Sequence, residues 1–209
     1  MNTLRGLDPA DRQRLDALIR QANAQSQTAL TAFITGGFHA INGVLRAASP
    51  PSDPVRRFLD ELRQAADYTG TSYRVSYVMR AALAALQRGH ARQFTDLGAQ
   101  CAFVLPRNAA AWALRATRPA QHAGLCELYS IFDESVPQKN LSTDACTDLV
   151  VVPPGTRLRV KALRLVAIAA PAGDGRQRAI VHFAHAAADT GADAPCAACY
   201  DLFGGARVS

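Results

Sequence analysis

Two groups of residues in this chain have types and spacings that suit chemistry. In the first, a polar stretch, residues 140–147 (NLSTDACT), runs into Asp148, which stands at the mouth of the apolar, β-branched run LVVV. A carboxylate there sits between water and a dry interior, where its charge acts at full strength. The second is His182-X-X-His185 followed by Cys196-X-X-Cys199, which has the ligand count for a zinc ion. Strand geometry opposes that use, because residues three apart on a strand face opposite sides. The expectation is therefore no metal, with Cys196 and Cys199 as a disulfide or as free thiols. Cys101, Cys126 and Cys146 fall in or beside apolar strands and read as buried thiols suited to a reducing cytosol.

The elements that must position these groups follow from periodicity and punctuation. Asp8-Pro9 starts an amphipathic helix that runs to about residue 22. Residues 28–47 form a second helical region with a break or close-packing point at Gly36-Gly37, and Asp53-Pro54 opens a third helix ending near Tyr68. Gly70 leads into a strand carrying Arg74, and a helix follows over residues 79–89. Next come a strand over residues 94–105, a helix over 108–115, a strand over 126–132 and a long polar loop over 133–147. Residues 148–160 (DLVVVPPGTRLRV) make two strands hinged at Pro153-Pro154-Gly155, with Leu158 and Val160 alternating with Arg157, Arg159 and Lys161. A last strand covers residues 178–185, and the tail from Ala186 is rich in Ala, Gly and Asp. Helices gather in the first half and strands in the second, which is an α+β arrangement.

The strand and Pro-Pro-Gly turn of residues 148–160 resemble a signature of the mono-ADP-ribosyltransferase superfamily, in its arginine-specific-like clade of bacterial effectors and toxins. HAINGVLR (residues 39–46) resembles that family's helix with its Ile-Asn and Leu-Arg pairs, and TSYRV (71–75) resembles the strand bearing its first catalytic arginine. The resemblance covers roughly residues 26–165. It implies a fold of two packed, roughly perpendicular β-sheets forming a cleft, with N-terminal helices. It also implies NAD as a substrate, with ADP-ribose transferred to a side chain of a host protein, arginine by default, by a secreted effector acting in the host cytosol. A threonine of ubiquitin is an alternative acceptor. Tyr73 and Arg74 match the family's first motif, where the arginine's fork would hold the pyrophosphate.

Two motifs depart from the pattern. Cys101, Ala102 and Phe103 replace the family's Ser-Thr-Ser, and Phe103 is a candidate to stack on nicotinamide. Thr147, Asp148 and Leu149 replace its Glu-X-Glu, so Leu149 occupies the slot of the catalytic acid. Asp148 is then the first candidate for the acid and Glu134 the second. By resemblance Gln138, Lys139, Asn140 and Ser142 are candidates to meet the protein substrate. The same departures motivate another expectation, a degenerate transferase that binds a protein or peptide without NAD chemistry.

The totals set outer bounds. With 209 residues, 49% of them hydrophobic, the chain can bury one sizeable core. The expected division is an N-terminal helix over 1–25, the transferase-like domain over 26–185 and a tail over 186–209. No run of eighteen apolar residues suggests a membrane span, and no basic patch followed by an apolar stretch reads as a Sec-type signal. The net charge of +6 comes almost entirely from scattered arginines without interleaved aromatics, which argues against a nucleic-acid partner. Lys139 and Lys161 are the only lysines, through codon bias or through selection to escape ubiquitin tagging.

Overall fold

The computed structural model describes residues 9–10, 13, 16–17, 28–47, 50–88, 93–116, 125–144, 146–168, 176–186 and 199–201. Nine strands join in one hydrogen-bonded sheet: β1 Ser72–Val78, β2 Gln93–Thr95, β3 Gln100–Phe103, β4 Cys126–Phe132, β5 Lys139–Asn140, β6 Leu149–Val152, β7 Leu158–Ile168, β8 Arg176–His185 and β9 Cys199–Asp201. Their spatial order is β5-β6-β3-β1-β4-β8-β7-β2-β9.

This order forces the sheet to curl. β3 and β2 lie five positions apart, about 24 Å in a flat sheet. Residues 95–100, which join them, span at most about 17 Å when fully extended. The link from β6 to β7 faces the same conflict, with at most about 20 Å of chain to cross five positions. Folding the sheet over itself resolves both. The interior then holds Ala102, Val104, Val150 and Val152 from one half and Phe94, Leu158, Val160, Val181 and Phe183 from the other in one buried cluster. The two expected layers thus form as halves of a continuous sheet, joined through the parallel pair β4–β8.

Helices cover the outer face of the β6-β3-β1 side, except Arg80–Gln87, whose Ala82, Leu83 and Leu86 join the interior cluster. The described helices are α1 Thr28–Ala32, α2 Phe38–Arg46, α3 Asp53–Gln64, α4 Arg80–Gln87 and α5 Pro106–Ala116, with one π-turn, Phe33–Gly37, between α1 and α2. The break expected at Gly36-Gly37 takes this form. A Cβ on Gly37 would lie 2.9 Å from the Ala32 carbonyl oxygen, so the wide turn needs glycine there. On α3, Val55, Phe58 and Leu62 recur at helical spacing and are buried. Phe58 stacks on Phe33 at 4.5 Å, and Glu61 accepts the Ala29 and Leu30 N–H groups at 2.7 and 3.0 Å, which ties α1 to α3. This second core continues into Ala99, Phe103, Leu149 and Val151 of the sheet.

Four sequence expectations change, the first being the end of the third helix, which stops at Gln64 rather than near Tyr68. The strand expected over 94–105 is two strands in opposite halves of the sheet, because residues 96–99 cross between them. The loop over 133–147 contains β5, and the tail supplies β9, which runs parallel to β2. The N-terminal helix falls largely outside the described residues, as does most of the tail.

Gly155, in the turn after β6, has φ of +74°, and a Cβ added there would meet nothing within 4 Å. Gly155→Ala should therefore lower stability by about 1–2 kcal/mol through backbone conformation alone. Urea unfolding of wild type and mutant at equal slope measures this.

Candidate active site

The site is assembled by one face of α2. Asn42 and Arg46, four residues apart, project together onto the crossing that joins β2 to β3. The Asn42 amide donates to the Ala99 carbonyl at 3.0 Å and its oxygen accepts the Ala99 N–H at 2.8 Å. Arg46 grips Asp96 with two bonds of 2.8 Å, from Nε to Oδ1 and from Nη2 to Oδ2. Asp96 Oδ1 also accepts the Gly98 N–H at 2.8 Å, and the Asp96 carbonyl accepts the Gly155 N–H at 2.9 Å. A Cβ on Gly98 would stand 3.0 Å from both the Arg46 guanidinium and Asn42 Oδ1, so a bare backbone is what lets the helix approach.

Arg74, half-buried, lies where the β1–β3 ladder stops, next to this clamp. β1 and β3 share only the Tyr73–Phe103 pair before their ladder stops, whereas β1 pairs with β4 along its whole length. The Arg74 guanidinium reaches across that gap toward the Cys101 carbonyl, a long contact of 3.5 Å from Nη1. Burial pushes its pKa down, the Asp96 charge opposes that, and Arg46 adds to the depression. An arginine stays charged throughout. Burial also tends to raise Asp96, but the Arg46 hydrogen bonds, the Arg74 charge and the Gly98 N–H together outweigh it and hold the carboxyl below its usual range. The result is two guanidiniums around one carboxylate, a net positive charge in a water-poor gap. Such a group suits an anionic ligand that a forked donor can grip.

The other end of β3 lies beside the chain entering β6. Leu149, in the slot of the catalytic acid, is 1% exposed and pairs with Phe103 in the outer core. Asp148, one residue earlier, is buried and holds the start of α5: Oδ2 accepts the Leu105 N–H and Oδ1 accepts the Asn108 amide, each at 3.0 Å. Burial raises its pKa, against the opposing pull of Asn108, the Leu105 N–H and Arg107. Cys146 lies between the two regions. Burial, then the Asp148 charge, push its thiol up to about 12, and burial takes Cys101 to about 11 against the pull of Arg74 and Arg46. Both thiols are therefore protonated at neutral pH.

The remaining sequence candidates lie apart from Arg74 or serve as joints. Phe103 is 3% exposed and packs against Trp112 at 5.5 Å, under the helices. Tyr73 faces the same outer core, with its ring 6.3 Å from that of Tyr129. Gln138 accepts from the Ser72 hydroxyl and donates to the Gly70 carbonyl at 3.1 Å. Lys139 pairs with Asp67 at 2.7 Å and donates to the Arg63 and Ala65 carbonyls at the end of α3. Asn140 accepts the Ser142 N–H at 3.0 Å, and the Ser142 hydroxyl donates to the Leu149 carbonyl at 3.3 Å. Gln138, Asn140 and Ser142 are buried. Glu134 is exposed in the turn after β4. His182 is exposed and His185 half-buried on β8; Cys196 lies outside the described residues, as does the side chain of Cys199. Asn42, Arg46 and Asp96 were not among the sequence candidates, although the i, i+4 spacing of Asn42 and Arg46 in HAINGVLR was the available signal.

No protein-family model matches the sequence, and neither does any curated protein. Solved structures do match. Vis, an ADP-ribosyltransferase toxin from Vibrio splendidus solved in complex with agmatine, superposes with a TM-score of 0.70 at 16% identity over 98% of this chain and 96% of that one. The chain has the ADP-ribosyltransferase fold. An ADP-ribosyltransferase from Clostridium botulinum gives a TM-score of 0.55 at 10% identity, over 88% of this chain and 98% of that one. The C3larvin toxin from Paenibacillus larvae gives 0.52 at 7%, over 88% and 98%. Among the described residues, no helix of this ADP-ribosyltransferase-fold chain is long and apolar enough to cross a membrane.

Asp96 sets a pH-dependent part of the stability. Its folded pKa is depressed, so its contribution is fully present above the unfolded value of about 3.9 and is lost as pH falls through the lower folded value. Asp96→Asn should cost about 2 kcal/mol at neutral pH, less than a fully buried pair because Arg46 is 37% exposed. That deficit should close below about pH 4, which melting curves of both proteins from pH 7 to pH 3 will show.

Proposed function

We propose that this chain binds NAD in the cleft beside the β1–β3 gap and transfers its ADP-ribose to a side chain of another protein. The observation that supports this most is Arg74, a forked cation at the gap between two strands, with Arg46 and Asp96 fixing the local field. In this reading Arg74 grips the pyrophosphate. The glycosidic C–N bond of NAD breaks with its electron pair leaving on nicotinamide, which discharges the pyridinium. Positive charge develops on the ribose, the acceptor's lone pair bonds to that carbon, and the acceptor's proton passes to solvent. Asp148 is the carboxylate proposed to stabilise the developing charge, because it stands at the start of β6, next to Leu149 in the slot of the acid. Arginine remains the default acceptor, and the complex of Vis with agmatine, itself a guanidine, supports that choice. The proposed setting is a bacterial effector acting on a host protein in the host cytosol.

A second reading is favoured by Leu149, whose apolar side chain fills the slot of the acid, and by the commitment of both Asp148 oxygens to α5. A cleft so built would hold a dinucleotide, a protein or a peptide without cleaving NAD.

Nicotinamide release and label transfer from NAD, measured with and without cell lysate, separate the two. The transferase reading expects turnover that falls a hundredfold or more in Asp148→Asn and weaker NAD binding in Arg74→Lys, which keeps charge but loses the fork. Asp148→Asn should also lose about 1 kcal/mol of stability, because its amide N–H₂ faces a donor where a carboxylate oxygen accepted one. Activity should therefore be measured well below its melting temperature. NAD that raises the melting temperature without turnover in any lysate leaves the binding reading, and wild type and Arg74→Lys binding NAD equally would remove Arg74 from the site.

A further inference from the structure

Four buried side-chain polar atoms among the described residues lack a hydrogen-bond partner: Thr95 Oγ1, Ser130 Oγ and both amide atoms of Gln100. Three of the four fall on the sheet face that Arg74 occupies. Ser130 stands directly opposite Arg74 across the β1–β4 ladder. Gln100 pairs with Val152 and alternates with Cys101, so it faces the interior with Ala102, diagonal to Arg74 on the neighbouring strand. Gln100 is 1% exposed and Ser130 fully buried. Leaving a buried carboxamide unpaired is costly, and here neither the amide oxygen nor the amide nitrogen has a partner. The position therefore matches a ligand group more than a packing role.

The unpaired amide defines what it would accept. It offers one acceptor and two donors side by side in a plane, so its complement is a planar edge presenting an N–H next to an acceptor. A primary carboxamide has that edge, and so does an aminopurine. NAD carries one at each end, and the pyrophosphate proposed for Arg74 lies between them. We propose that Gln100 is a specificity-determining residue of the cleft, pairing through its side-chain amide with the donor–acceptor edge of one of the two bases of a bound dinucleotide, with the Ser130 hydroxyl lining the same face. This inference rests on NAD binding at Arg74. It assigns Gln100 the selection of the base and Arg74 the selection of the phosphates.

The test compares affinities of the full chain for four probes by calorimetry: NAD, nicotinic acid adenine dinucleotide, nicotinamide 1,N6-ethenoadenine dinucleotide and ADP-ribose. Wild type should prefer NAD about tenfold or more over whichever analogue has the altered edge. Weaker binding of the nicotinic acid form assigns Gln100 to the nicotinamide carboxamide, and weaker binding of the etheno form, whose bridge removes the adenine donor and acceptor, assigns it to adenine. Gln100→Leu should abolish that preference while ADP-ribose or NAD still binds, and should melt no lower than wild type, since it replaces an unpaired amide with an apolar group of similar size. Equal affinity of wild type for all three dinucleotides, or a preference unchanged in Gln100→Leu, overturns the assignment and leaves NAD binding intact. If no probe binds wild type, both readings fall.

Discussion

The bidentate pair between Arg46 and Asp96 is the constraint on which the rest of the cleft depends. Residues 96–99 must carry the chain from one half of the folded sheet to the other in a few steps, and an unsupported crossing of that kind would leave backbone groups without partners. Asp96 supplies them. Its carboxylate takes the Gly98 N–H and the Arg46 fork, its carbonyl takes the Gly155 N–H, and Asn42 completes the set at Ala99. Both links between the halves of the sheet, after β2 and after β6, are thereby fastened to each other and to α2.

That fastening explains why Arg74 lies at a break in a strand ladder. With the N-terminal end of β3 drawn toward α2, the ladder between β1 and β3 stops after one pair, and a guanidinium occupies the gap. Arg46 alone would repel Arg74, and Asp96 between them makes the arrangement tolerable. In the proposed reading the dinucleotide's phosphates supply a second anion beside this trio, so that a structural ion pair also serves the phosphate site. The opposite end of β3 has followed another course. There the apolar Leu149 joins the outer core and Asp148 anchors α5, so packing has taken the positions at which the related fold signature keeps acids.

Much of this could be read from the chain. The β-branched run before Pro153-Pro154-Gly155 gave β6 and its turn, and residues 126–132 were legible as a strand because alternation there is strict. The place of Arg74 on β1 was legible from TSYRV. The split of residues 94–105 was not, since Phe94 and residues 100–105 read as one continuous apolar strand and only the tertiary clamp on Asp96 and Gly98 breaks it. β9 was hidden for a related reason: a short run in an Ala-rich tail becomes a strand only because β2 offers it an edge. The role of Asp148 as a helix anchor depends on Leu105 and Asn108, some forty residues away in sequence, and local pattern carries no trace of such a contact. Both lysines, notable in sequence for their rarity, form ion pairs, with Asp67 and Asp133.

The central claim is that the gap between β1 and β3 holds the phosphates of NAD. A crystal structure of the chain with a non-cleavable NAD analogue tests it most directly. The account predicts pyrophosphate oxygens within about 3 Å of the Arg74 guanidinium, with the Arg46–Asp96 pair intact beside them. An analogue bound elsewhere, with Arg74 still directed at the Cys101 carbonyl and no phosphate near it, would contradict the account.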